Sequence, residues 1–233
     1  MAEQGFDLME IVSTAATLPG VKIDRSDFLR KEFGAPKYGT QLAQILREGP
    51  LAAGVSAEDV EKHANGVISY ETTKTTAISA AAGIPGGLAM LGTIPADLAQ
   101  FYGHVLRVIQ KLMYLYGWDD IENMDEETKN VLIIFIGAMS GVQAAEATIG
   151  KLCNSAAVKV SKTLAAKALT KTTYYPIVKS VCKQIGVKMT KDVFAKSVSK
   201  AIPVIGAVAS GGLTAATFLP MSKKLLKLMK NNA

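Results

Sequence analysis

Apolar residues along this chain recur at steps of three and four, and the pattern predicts helix over almost its whole length. The clearest seam follows Pro95, where Leu98, Phe101, Val105, Val108, Leu112 and Leu115 mark a helix over about 96–117, closed by Gly117. Residues 6–18 carry Phe6, Met9, Ile11, Val12 and Ala16 and stop at Pro19-Gly20. Asp24 reads as the N-cap of a short helix through Phe28 and Leu29 to Gly34. A further helix over about 38–47 halts at Gly49-Pro50. Ser56 with Asp59 resembles a capping box and opens a helix to about residue 82. Asp125, Glu126 and Glu127 suit the first turn of one running to about 150. Lysine-rich helices are expected at about 155–169 and 174–185, then a stretch over 190–230 broken at Pro203. No period-two alternation stands out, so the expected fold is all-α.

That fold is a single compact multi-helix bundle with two glycine- and proline-rich helical hairpins, near 83–95 and 203–213. One domain spans 1–233: N-terminal helices over 1–55, acidic central helices over 56–150, and lysine-rich helices over 151–233.

A second stripe lies one residue back from the Pro95 seam. Asp97, Gln100, His104, Arg107, Lys111 and Tyr114 repeat the same steps, rotated by about 100°. The stripe reads either as a solvated face or as a groove lined for a polar or anionic head group. The second reading makes Asp97, Gln100, His104, Arg107 and Lys111 the candidate ligand site.

Three stretches carry no charge. Twenty-two residues separate Lys74 from Asp97, another 22 separate Lys200 from Lys223, and 16 separate Lys129 from Glu146. By length the first two reach the ~20 residues a membrane span needs. Their breakers argue for re-entrant or tightly packed hairpins instead: Gly83, Pro85, Gly86, Gly87 and Pro95 in one, Pro203, Gly206, Gly211 and Gly212 in the other. Gly83/Gly87 and Gly137/Gly141 have the spacing of close helix contacts. A buried helical core accepts the same residues.

Charge sharpens this picture. The net +6 divides into −8 over residues 1–150 and +14 over 151–233, where fifteen lysines face one acid, Asp192. Such a split points to an anionic membrane surface, or to one half neutralising the other. Lysine without arginine and without interleaved aromatics gives no support to nucleic-acid reading. The C-terminal MSKKLLKLMKNN sets Lys223, Lys224, Lys227 and Lys230 beside Leu225, Leu226, Leu228 and Met229, a short basic amphipathic end. A hydrophobic content of 49% excludes disorder. Cys153 and Cys182 form no CxxC pair and read as buried thiols in a reducing compartment. The acidic N-terminus lacks a signal pattern, so secretion is not expected.

Catalytic signatures are missing. The chain has no GxSxG, GxxxxGK[ST], GxGxxG or HExxH, and its two histidines, His63 and His104, exclude a histidine-rich metal site. Enzyme activity, a metal and a cofactor are therefore not expected.

The segments LPGVKIDRSDFLRKEF (18–33), AAGIPGGLAMLGTIPADLAQFYGHVLRVIQKLMYLYGW (81–118) and AIPVIGAVASGGLTAATF (201–218) together resemble the EcsC protein family. Its glycine-rich turn, helix Asp, Arg and Tyr-Gly fall on Gly86 and Gly87, Asp97, Arg107, and Tyr116 with Gly117. The late proline-then-glycine segment falls on Pro203, Gly206, Gly211 and Gly212. The resemblance implies a bacterial helical protein named from an operon that encodes an ABC transporter, and it carries over no catalytic role.

The expectation is a cytoplasmic, non-enzymatic protein that engages anionic membrane lipid at the inner face of the cell membrane. It would do so through the hairpins and the lysine-rich C-terminal third. The alternatives are a soluble helical module that binds an apolar ligand, a protein partner or a second copy, and a trigger-dependent pore-forming protein.

Overall fold

A computed structural model describes residues 7–82, 96–121, 123–156, 174–185 and 203–232. These residues form helices α1 (Leu8–Ala16), α2 (Arg25–Phe33), α3 (Leu42–Glu48), α4 (Ala57–Ala82), α5 (Ala96–Leu115), α6 (Glu126–Met139) and α7 (Gln143–Ala156). Helix α8 covers 174–185 and α9 is Pro203–Asn231. A 3-10 turn, Pro36–Tyr38, links α2 to α3, and there is no strand among the described residues. The all-α bundle is as the periodicity predicts.

Helix starts follow side-chain chemistry. Asp7, Asp24 and Asp125 each accept a backbone N–H of the first turn they precede, at 2.9, 2.7 and 2.8 Å. Ser56 does the same for Asp59 at 3.1 Å, fixing the start of α4. Each cap satisfies an amide that the helix itself cannot.

Helix α6 lies at the centre of the bundle, with Leu132 to Ile136 wholly enclosed. Its uncharged run, Val131–Met139, is thus interior. Against it lie α7, α1, α5 and α9. The most extensive helix contact is between α4 and α9, and Phe218 of α9 sets its ring edge-on to Phe101 of α5 at 6.0 Å. Phe218, Leu225, Leu226 and Met229 bury the apolar side of α9. Helices α4 and α5 run antiparallel: Glu71 meets Arg107, while the Glu61 charge is felt at Tyr116.

Two backbones cross at Gly49 and Gly117. Both have positive φ, 91° and 76°, and a Cβ on Gly49 would stand 2.6 Å from the Gly117 Cα. Only glycine allows the α3 end to touch the α5 end there.

The structure departs from the sequence pattern in two places. The expected helix over 125–150 is two helices, α6 and α7, bent by 115° around Gly141 at φ 88°. Gly141 therefore makes a turn, while Gly137 makes the close contact, its Cα facing Val181 of α8. Residues 203–213 form the opening turns of α9 instead of a hairpin, with Pro203 in the first turn where its missing N–H is harmless. The hairpin expected at 83–95, with Gly83, Pro85, Gly86, Gly87 and Pro95, lies outside the described residues, as does most of the expected 155–169 helix.

Among the described residues no single helix is long and apolar enough to cross a membrane; the bent α6–α7 pair passes that test only as a pair.

Candidate functional site

The polar stripe of α5 converges on a residue the periodicity of α5 could not reveal. Glu71, on α4, is 0% exposed. His104 Nδ1 lies 2.7 Å from its Oε2, Lys111 Nζ donates to its Oε1 at 2.6 Å, and Arg107 Nε donates to both oxygens at 3.2 Å. The sites 104, 107 and 111 fall on one face because their steps of three and four match the helical repeat. Burial pushes the Glu71 carboxyl up, but hydrogen bonds from His104 and Lys111 and the charges of Lys111 and Arg107 outweigh it and hold the group at about 2. One carboxylate thus anchors two cations, leaving a surplus of one positive charge.

A signal for Glu71 exists on its own helix. Val60, Ala64, Val67, Ile68, Glu71 and Thr75 are all buried, and a carboxylate inside that stripe requires cations opposite. The α5 stripe supplies them.

Of the five sequence candidates, His104, Arg107 and Lys111 meet at Glu71. Gln100 is exposed, outside the cluster, and the Asp97 side chain is not among the described ones. Gln110, one residue off the stripe, is a residue the spacing did not single out. It is wholly buried, donates to Val21 O at 2.9 Å and accepts from Ile23 N at 3.0 Å. Tyr114 donates to Ile23 O at 3.1 Å, and Arg107 Nη1 donates to Gly20 O. These bonds stitch the loop 18–24 onto α5. Arg25 completes the anchorage by donating to Trp118 O at 2.9 Å and to Leu46 O.

The stitched loop, α2, α4 and α5 enclose a groove of about 520 Å³. Its α5 wall is Arg107 and Lys111; its α4 floor is Gly66, Val67 and Tyr70. The α2 side, with the loop that leads into it, presents Lys22, Asp24, Asp27, Phe28, Lys31 and Glu32. Lys111 also lies 5.3 Å from the Tyr70 ring centre and 5.9 Å from that of Phe28, so its position is set by aromatic faces as well as by Glu71. Glu32 holds His63 Nδ1 at 2.9 Å.

The basic C-terminal residues are engaged by the acidic half. Lys224 pairs with Glu146 at 2.5 Å, Lys230 with Glu61 at 2.7 Å, and Lys223 donates to Asn65, while Lys227 is exposed. Pro203, Gly206, Gly211 and Gly212 belong to the helical backbone of α9. Among the described residues no three His, Cys, Asp or Glu side chains gather to hold a metal ion.

No family model, curated protein or solved structure matches this chain.

Proposed function

We propose that this is a membrane-associated, non-enzymatic helical protein that engages anionic lipid through its uncharged glycine-rich segments and the lysines of its C-terminal third, at the inner face of the cell membrane. One arrangement supports the reading. The helix pair that carries the cationic groove is also the pair flanking the uncharged run between Lys74 and Asp97. Glu71 and Arg107 each stand 11 residues from the ends of their helices, Ala82 and Ala96, or about 16 Å along the axis. A surface met by that run would lie toward the ends of the two helices that carry the groove's cations and their counter-charge, Glu71. Lysines supply long-range attraction of about 1 kcal/mol each near an anionic surface. Glu146 and Glu61 hold two of them and the Asn65 amide a third in this form, so an anionic surface would compete with the protein's own acids for Lys224 and Lys230.

A soluble helical module is the second reading, and the buried apolar side of α9 favours it: Phe218, Leu225, Leu226 and Met229 face the bundle and not a bilayer. Flotation of detergent-free protein with anionic and neutral vesicles, at low and high salt, separates the two. Binding to anionic vesicles that high salt abolishes is the expected result for peripheral contact through lysines; salt-resistant binding would mean insertion of the uncharged segments. Absence of flotation under every condition would leave the soluble module. Replacing Lys223, Lys224, Lys227 and Lys230 together by Glu should weaken flotation, and unchanged flotation would remove the C-terminal helix from the contact.

A further inference from the structure

We infer that the groove between α2, α4 and α5 is a binding site for a small zwitterion, a phosphodiester carrying an ammonium group. The two long walls have opposite sign. On the α5 side Arg107 and Lys111 share the single charge of Glu71, which is sealed behind them, and present one net positive charge to the groove. A phosphodiester carries one negative charge, and an arginine fork beside an ammonium suits its two free oxygens. Nη2 of Arg107 has no hydrogen-bond partner among the described residues. On the opposite side, formed by α2 and the loop that leads into it, Asp24, Asp27 and Glu32 outnumber Lys22 and Lys31, a net −1 that suits an ammonium. Phe28, Val67 and Tyr70 between them offer apolar and aromatic surface for the linker carbons.

Gly66 is the second, independent observation. It sits inside α4, where glycine costs about 1 kcal/mol relative to alanine. Its φ is not positive, and no atom lies within 4 Å of where its Cβ would stand. Neither backbone geometry nor packing inside the protein asks for glycine here. The missing side chain opens the floor of the groove, which is what an occupant needs. The site does not depend on docking to anionic vesicles, because the occupant is recognised by its own two charges.

Amide chemical shifts followed during titration with glycerophosphoethanolamine test this directly. The expected result is saturable shifts at Gly66, Tyr70 and Arg107, with glycerol 3-phosphate and ethanolamine each binding at least about tenfold more weakly. Gly66→Leu should abolish the shifts while keeping or raising the melting temperature, so a loss of fold cannot imitate the result. Asp27→Asn should weaken the zwitterion and leave glycerol 3-phosphate unaffected. No saturable shift up to tens of millimolar, or equal affinity for glycerol 3-phosphate, would overturn the proposal. Flotation with neutral vesicles containing phosphatidylethanolamine identifies the source. Binding lost in Gly66→Leu assigns the ligand to the bilayer; flotation unchanged, with soluble binding lost, assigns it to solution.

Discussion

Lys111 places its ammonium 2.6 Å from Glu71 Oε1, and that carboxylate is closed to water on every side. The pair joins the C-terminal part of α5 to the middle of α4. Its geometry also fixes the inner wall of the groove, since Glu71 holds the Lys111 ammonium beside the rings of Tyr70 and Phe28.

Removing the carboxylate should be severe. Glu71→Ala leaves Lys111 and Arg107 together at 10% and 20% side-chain exposure with no counter-charge. Breaking such a buried cluster from one side costs about 3 kcal/mol or more. Urea denaturation should show it as a lowered midpoint at unchanged slope; a loss below about 1 kcal/mol would mean that the cations relax into water.

Acid should act through the same group. Glu71 titrates at about 2 in the folded protein, below its ordinary 4.5, so its contribution is present above pH 4.5 and is lost as pH falls toward 2. Stability of Glu71→Gln should consequently fall less than that of the parent between those two values. Parallel curves from denaturant titrations across that range would contradict the assignment.

Gly137 carries the close approach of α6 to α8. A Cβ there would stand 2.4 Å from Val181 Cγ2, so Gly137→Ala should cost about 1–3 kcal/mol by overpacking. The double variant with Val181→Ala should recover part of that loss. Thermal melts of the two single variants and the double measure the coupling, and strict additivity would count against the contact.

Lys230 and Glu61 pair at 2.7 Å with side chains 50% and 35% exposed. Lys230→Glu should destabilise by less than about 1 kcal/mol, and Glu61→Lys in the same chain should restore the pair. Thermal melts at low and high salt should converge if attraction between the two is the cause.

Helix-forming stripes and caps were legible in the sequence because each is a local property: Asp24 and Ser56 cap the turns that their spacing predicts, and Asp125, expected within a first turn, is the N-cap just before it. The α5 stripe was visible too, but not where it points. Glu71 lies 33 residues before His104, and no periodicity within one helix reports what faces it from another. The break at Gly141 was missed because an uninterrupted apolar run hides a turn whose glycine could equally serve packing, as Gly137 does. The basic amphipathic end of α9 shows the same ambiguity. Its apolar stripe suits a bilayer or a core, and in the structure α4 and its neighbours cover it.

The pairing of α4 with α9 has a consequence during synthesis. Contacts such as Lys223 with Asn65 and Lys230 with Glu61 join residues 158 and 169 positions apart. At a ribosome adding about 5–20 residues per second, α4 emerges many seconds before the helix that covers it. Until α9 follows, the surface of α4 that will receive it is open to water and to other nascent chains. Folding of this chain therefore completes late, because its topology leaves α4 uncovered until α9 has been made.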